Sequence, residues 1–422
     1  MRTQHSASRP VERTLSLMVL LTVAACGADG ANPTWSTSMD TLPGGAVQVV
    51  NTPPDAGASP TWTLVEELRI GALDQDGPNT FGLLKGLAVL SDGRIAVLEA
   101  QAQDVRIFSA DGAHLATHGR EGQGPGELQG AWGLMRAADD RLWVPDHSND
   151  RMTVFDPDSG LVRTYPMPVF LYGYVWRGAM GVDGRIFKPS ITIEPPRRYV
   201  LRVWSTEMVL LDSLPMRDTP EYDPEDPPGS FVWSAPDGRS RSFFGVPFYP
   251  QGRDLVDARG RVWTASAGDP TYRLERWVPG GDTTLVLETQ RPPVPVGAQE
   301  RDSAISVLRE RLGELGAPDQ DWSKIPQVHP AVLSMFLSDE GRLWVRTPST
   351  DGSRTYDVYR DDGRYVGTAV TTLPVLEYVP PTVRGDRIWA VVTDELDVPF
   401  VVRARLEPLD EGSTLASPAA TR

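Results

Sequence analysis

Apolar and polar positions along this chain fall into short alternating runs of branched and aromatic residues, separated by Gly, Asp and Pro. One unit recurs six times: a strand, a tight turn and a second strand led by arginine. The copies are Ser91-Asp92-Gly93-Arg94-Ile95-Ala96-Val97, Ala138-Asp139-Asp140-Arg141-Leu142-Trp143-Val144 and Val182-Asp183-Gly184-Arg185-Ile186-Phe187. They continue as Ala258-Arg259-Gly260-Arg261-Val262-Trp263, Asp339-Glu340-Gly341-Arg342-Leu343-Trp344-Val345 and Arg384-Gly385-Asp386-Arg387-Ile388-Trp389-Ala390. Asp-Gly supplies the positive φ that a short hairpin needs to match strand twist. Beyond the arginine, Leu142 and Val144 share one face and Trp143 takes the other. Apolar residues on both faces predict a sheet sandwiched between neighbours. Trp143, Trp263, Trp344 and Trp389 hold one offset in four copies, which predicts packing between sheets rather than a ligand-binding ring.

The motif arginines lie 47, 44, 76, 81 and 45 residues apart. About 45 residues suits one four-stranded blade, and a third strand follows each motif, at 105–108, 152–155, 199–204, 272–277, 356–359 and 400–404. The fold expected over 61–408 is therefore all-β: a six-bladed β-propeller of four-stranded antiparallel blades. The last blade runs out of chain near Leu406, and the strand over 62–70 is expected to supply its fourth strand, closing the ring. The two long intervals hold insertions, at about 217–246 and 297–328. The first joins an acidic, Pro-rich run (220–228) to the aromatics Phe231, Trp233, Phe243, Phe244, Phe248 and Tyr249. In the second, Ile305, Leu308, Leu312 and Leu315 recur at spacings of three and four, which predicts the only helix, over 297–315.

At the N-terminus, Arg2, Arg9 and Arg13 precede an apolar run over 15–25. As a helix it rises about 16 Å, well short of a hydrocarbon core of roughly 30 Å, so it predicts a signal peptide (1–25) rather than a membrane span. The run ends in Val23-Ala24-Ala25-Cys26, which resembles the bacterial lipobox. That resemblance implies cleavage before Cys26 and lipidation of its thiol, which anchors the chain to the bilayer. Several acyl chains, at roughly 0.8 kcal/mol per CH₂, make a stable anchor. Gly27 follows the cysteine, which by resemblance to sorted lipoproteins favours the outer membrane, on its periplasmic or cell-surface side. Residues 26–60 are expected to be a flexible tether with one short strand at Val47-Gln48-Val49-Val50, and 409–422 a disordered tail.

Cys26 is the only cysteine, so no intrachain disulfide and no multi-cysteine metal site exists. The formal charge of −15 becomes about −17 without the signal. Such a surface repels phosphate backbones and argues against a nucleic-acid partner.

The stretch Asp146-His147-Ser148-Asn149-Asp150-Arg151-Met152-Thr153-Val154-Phe155-Asp156 resembles the NHL repeat, and the Gly-rich run 119–128 resembles the loop joining consecutive NHL blades. With the helical insertion and Val246-Pro247-Phe248, the chain is similar to a bacterial family of six-bladed propeller lipoproteins. NHL-type propellers include protein- and RNA-binding modules, a metal-dependent lyase and relatives of lactonases, so the resemblance implies a fold and leaves the function open.

Five residues beyond each motif arginine the chain reaches the expected channel mouth, at Glu99, Asp146, Ser190, Ser266, Thr347 and Val392. Two carboxylates and three hydroxyls there are a candidate set for a cation or a polar ligand. Against it stands capping of the local turn by Asp146 through backbone N–H groups. His147, beside Asp146, is the one acid–base pair of note. His114 and His118 lie in a strand about 13 Å apart, too far to share one ion. The Gly-rich run lacks the Lys-Ser/Thr end of a phosphate loop, and no Gly-x-Ser-x-Gly elbow occurs.

Three functions remain open. The leading one is a lipid-tethered binding module, needing no cofactor, that recognises a protein or glycan in the cell envelope through its acidic and aromatic insertion. The second is a lactonase- or lyase-like enzyme using a divalent cation near Glu99 and Asp146. The third is a passive structural lipoprotein.

Overall fold

The computed structural model describes residues 35–54, 60–73, 77–167, 176–192, 198–217, 223, 226–235 and 239–409. The expected signal, Cys26, the C-terminal tail and most of the acidic run 220–228 fall outside them.

In chain order the strands begin with β1 (Ser36–Thr41), β2 (Val47–Thr52) and β3 (Trp62–Ile70). A first sheet holds β4 (Leu84–Val89), β5 (Ile95–Glu99), β6 (Asp104–Phe108) and β7 (His114–His118). A second holds β8 (Met135–Arg136), β9 (Leu142–Asp146), β10 (Arg151–Asp156) and β11 (Gly160–Pro166). A third holds β12 (Ala179–Met180), β13 (Ile186–Ile191), β14 (Tyr199–Trp204) and β15 (Leu210–Pro215). The hairpin β16 (Ser230–Ser234) and β17 (Arg241–Gly245) stands apart. A fourth sheet holds β18 (Arg253–Val256), β19 (Val262–Ala265), β20 (Arg273–Trp277) and β21 (Thr283–Thr289). A fifth run of four holds β22 (Ser334–Leu337), β23 (Leu343–Thr347), β24 (Arg354–Tyr359) and β25 (Tyr365–Thr371), and a short parallel pairing of Ala369 and Val370 in β25 with Trp62 and Thr63 in β3 joins it to the last group. The last contains β26 (Thr382–Arg384), β27 (Arg387–Thr393) and β28 (Pro399–Pro408). Its fourth strand is β3, antiparallel to β28 from Ile70 opposite Val401 to Trp62 opposite Pro408. The chain is thus mostly β and built of four-stranded antiparallel sheets, an arrangement consistent with a propeller.

The repeated turn forms as its chemistry requires. Gly93, Gly184, Gly260 and Gly341 sit at φ between 76° and 89°. The second copy has Asp140 there at φ 64°, a conformation Asp tolerates better than most residues. Its carboxylate accepts from Ser91 N (3.0 Å) and Arg136 (2.9 Å). Two of the leading arginines fold back on turn carboxylates and also reach the following sheet. Arg94 bonds Asp92 and, across the gap, Asp158, while Arg261 bonds Asp257 and Asp361.

The core lies between sheets. Ala96 and Leu98 pack on Leu142 and Val144, and Trp143 and Val154 on Ile186. Phe187 packs on Val256, Trp263 on Leu343, and Trp344 on Val383. Trp389 of the last sheet packs on Leu87 and Val89 of the first. Each motif tryptophan is buried against the next sheet, as its offset predicts, and Ala96 and Phe187 fill the same place in the first and third copies.

Two expectations change. The helix forms as α1 (Ala298–Glu314), with Leu308 and Leu312 buried. It does not stand alone, because the two insertions pack on each other. Phe231 and Val246 are buried with Leu308 and Ile325, and Phe244, Phe248, Tyr249 and Trp322 pack around them. Most of the aromatics expected at a contact surface are therefore a small core, and Phe243 stays outside at 56% exposure. Burying these rings offsets the entropy of ordering two long insertions.

The second change is in the expected tether. Its residues 36–52 form the hairpin β1–β2, and β2 lies parallel to β21 as a further strand of the fourth sheet. Val49 and Asn51 are fully buried there. Asn51 donates to Gly363 O (3.0 Å) and accepts from Tyr365 N (3.1 Å), and Trp35 stacks on Tyr365 at 3.8 Å. An alternating Val-Gln-Val stretch beside an open sheet edge gains more as a strand than as a linker.

Candidate functional site

The six sequence-selected positions do lie at or just past the ends of the second strands, but they form no shared site. Glu99 is 2% exposed, and its Oε1 accepts from Gly82 N (3.1 Å) and Leu83 N (2.6 Å). Its other oxygen accepts from Ala102 N. Asp146 is fully buried: Oδ1 accepts from Gln129 N (2.9 Å), and Oδ2 from Asn149 Nδ2 (2.6 Å) and Arg151 Nε (3.3 Å). Burial raises its pKa, opposed by the bonds from Asn149 and Gln129. Asn149 also donates to Gly122 O, and Arg151 to the carbonyls of Gln123, Gly124 and Glu127. The Asp-x-x-Asn-x-Arg spacing is thus a clamp on the Gly-rich connection between the first two sheets.

The remaining candidates are equally local. His147 Nδ1 bonds Gly130 O (2.9 Å), not Asp146. Ser190 Oγ donates to Lys188 O (3.3 Å), Ser266 is exposed, and Thr347 and Val392 are buried. No hydrogen bond or ion pair joins one of these residues to another among the described residues. Nor do three or more His, Cys, Asp or Glu side chains group there to hold a metal ion. His114 bonds Thr117 within β7, and His118 bonds Pro157 O in the β10–β11 turn of the next sheet.

The structure places a different feature on the same face. The first strands β4, β8, β12 and β26 converge, with β4 touching β8, β26 and β27, and β8 touching β12. Where they begin is a cavity of about 180 Å³, lined by Lys85, Leu87, Leu134, Met135, Trp176 and Pro381 among others. Lys85 is the extra residue of a β-bulge: Leu84 pairs with Glu99 and Gly86 with Leu98, leaving Lys85 unmatched. Bulges re-aim side chains in this way. Lys85 Nζ lies 4.8 Å from the Trp132 ring and 4.4 Å from the Tyr378 ring. Beyond Trp176, Lys188 Nζ sits 4.7 Å from that ring. Two glycines make room: a Cβ on Gly86 would meet Leu134 Cβ at 2.4 Å, and one on Gly178 would meet Trp176 Nε1 at 2.1 Å.

The electrostatics of this cavity are unlike those of the rest of the chain. Only three of its 41 cationic residues are lysines; Lys85 lines this cavity, and Lys188 lies against the Trp176 ring that forms part of its wall. Lys324, the third, pairs with Asp226. Neither Lys85 nor Lys188 has a carboxylate partner among the described residues; aromatic faces hold them instead. Burial lowers the pKa of Lys85 and, aided by Arg202, brings that of Lys188 down to about 8. Sequence reasoning missed these residues because it followed the ends of second strands. The available signal was the rarity of lysine and the Leu84-Lys85-Gly86 break in an apolar strand.

No family model matches the chain, and comparison with curated proteins gives no match. Among solved structures it is similar to a member of the DUF4221 family from Bacteroides vulgatus, at 10% identity and TM-score 0.43, over 83% of this chain and 99% of that one. Virginiamycin B lyase from Staphylococcus aureus, with quinupristin, gives 11% and 0.38, over 80% and 98%. PQQ-bound aldose sugar dehydrogenase from Streptomyces coelicolor gives 11% and 0.38, over 83% and 100%. Likenesses at these scores carry no weight for what this chain does.

Proposed function

We propose that this chain is a lipid-tethered, six-bladed propeller of the bacterial envelope, NHL-like in its repeats, acting as a binding module for a protein or glycan. Six repeats of one turn, each within its own run of four antiparallel strands, support the blade count, and so does the packing of the last run on the first. The lipobox-like Val23-Ala24-Ala25-Cys26 supports the anchor. One observation favours binding over catalysis. The two carboxylates best placed for metal chemistry spend their lone pairs on backbone N–H groups and local side chains. A cation there would have to displace bonds that hold the loops.

Both insertions lie in connections leading into first strands, so the β16–β17/α1 module shares a face with the axial cavity. Partner contact is assigned to that face, with Phe243 as the exposed aromatic of the module. The test is a photo-crosslinking residue at Phe243 in the intact, membrane-localised chain. A discrete adduct that disappears when residues 218–242 are deleted supports the reading. No adduct, together with metal-dependent turnover of lactones or esters that Asp146→Asn abolishes without unfolding the protein, favours the enzyme instead. Replacing Cys26 by Ser should release the chain from the membrane fraction.

A further inference from the structure

We infer that the axial cavity is a binding site for an organic carboxylate on a short apolar stem, with Lys85 as the anion-binding group. The inference rests on the binding-module reading and deepens it by naming the chemistry recognised. Lys85 reaches the cavity wall from a bulge, which aims a side chain at the cost of one ladder pair. Its ammonium is held between two ring faces instead of by a carboxylate. Cation–π contacts position the charge without neutralising it, and all three N–H groups remain donors. In a chain of charge −15, where most motif arginines are tied to carboxylates, the half-buried Lys85 ammonium has no carboxylate partner among the described residues. An incoming anion would supply the missing partner.

The rest of the wall narrows the class. Leu87, Leu134, Met135, Val379 and Pro381 suit a hydrocarbon stem, while the Thr382 hydroxyl adds a polar group to the same wall that can meet a carboxylate oxygen. The volume of about 180 Å³ equals that of about six waters at roughly 30 Å³ each, enough for a carboxylate with a few carbons. One ammonium at the wall matches a monoanion better than a phosphate dianion. Lys188 is behind the Trp176 ring and adds positive potential without reaching the wall. Burial lowers the pKa of both lysines, as unpaired ammonium groups require. The source of the carboxylate is either a free acid or the C-terminus of a protein partner, and the two share this chemistry.

The experiment is calorimetric titration of the intact chain at pH 7 with hexanoate, hexanamide, inorganic phosphate, and a pentapeptide ending in leucine as free acid or as amide. Trp132 and Trp176 fluorescence gives a second readout. Binding of hexanoate or of the free-acid peptide, at least tenfold tighter than its amide and than phosphate, is expected. The tighter of the two acids identifies the source. Lys85→Met should weaken that binding at least tenfold, and Lys85→Arg should restore part of it. Amides binding as well as acids would overturn the inference without any variant. So would undiminished affinity in a folded Lys85→Met protein. A Phe243 crosslink that persists while all the acids fail would sink this inference and leave the binding module standing. Acid binding with no crosslink would do the reverse.

Discussion

Asp146 and Lys188 are both buried charges, and their surroundings treat them oppositely. Asp146 accepts three hydrogen bonds, from Gln129 N beside the Gly-rich loop and from the two side chains, Asn149 and Arg151, that clamp that loop. Truncation to Ala leaves the Gln129 N–H without its acceptor and removes one of several acceptors from Asn149 and Arg151, so Asp146→Ala should cost about 2–3 kcal/mol in urea unfolding. Asp146→Asn, which keeps the shape, should cost clearly less. Lys188 has no carboxylate partner among the described residues, and its pKa of about 8 lies below the unfolded value near 10.4. Between these values the unfolded chain binds more protons than the native one, so native stability rises with pH across that window. Below it the ammonium costs on the order of 3 kcal/mol, partly offset by roughly 0.5–2 kcal/mol from the Trp176 face. Arg202, paired with Lys188 across β13 and β14, adds repulsion. Lys188→Met should therefore stabilise the protein by about 1–2 kcal/mol at pH 7 and lose that advantage by about pH 10.5. Urea midpoints of both proteins at the two pH values decide it, and a destabilised variant at pH 7 would mean that the ammonium has a partner.

Among the elements, the β16–β17 hairpin and α1 depend on each other. Leu308 is the helix residue at the centre of their shared core, with Phe231, Val246 and Ile325. Leu308→Ala should cost the module about 2–4 kcal/mol. Limited proteolysis should then cut within both insertions while the four-stranded sheets survive; cleavage confined to the helix would show that the hairpin stands alone. That pairing also shows what the sequence made legible. The six turns and their tryptophans were plain because local chemistry and period suffice for them. The helix was plain from its spacing. That Phe231 and Phe248 meet the helix was not, since it depends on which surfaces two distant insertions present. Likewise Val47-Gln48-Val49-Val50 was readable as a strand but its partner β21 was not, because a parallel pairing with a segment so remote leaves no local pattern. The site suffered most: Lys85 is aimed by a bulge, and bulges appear only once register is known.

For the whole molecule, the decisive contact is the one between its two ends. β3 and β28 are separated by about 330 residues, and bringing such distant segments together costs about 5 kcal/mol in loop entropy. Against this stand the antiparallel ladder from Trp62 to Ile70, burial of Leu64 and Ile70, and Glu67. Desolvation raises the pKa of Glu67, but the bonds it accepts from Arg387 (3.0 Å) and Arg403 (3.1 Å), with their charges, together outweigh this and hold it below the usual carboxylate range. Removing β3 would leave β28 with an open edge and uncover Val401 and Ala404, a surface prone to pairing with other chains. A chain lacking residues 1–71 should therefore lose its single cooperative unfolding transition and associate. A synthetic peptide spanning 35–72, which carries β1 and β2 as well as β3, added in excess, should restore a monomer whose midpoint depends on peptide concentration, as linkage requires. Retention of the full-length midpoint without the peptide would mean that packing of Trp389 on Leu87 and Val89 holds the last sheet to the first unaided. The N-terminal strand would then be a cover for an edge rather than the closure of the fold.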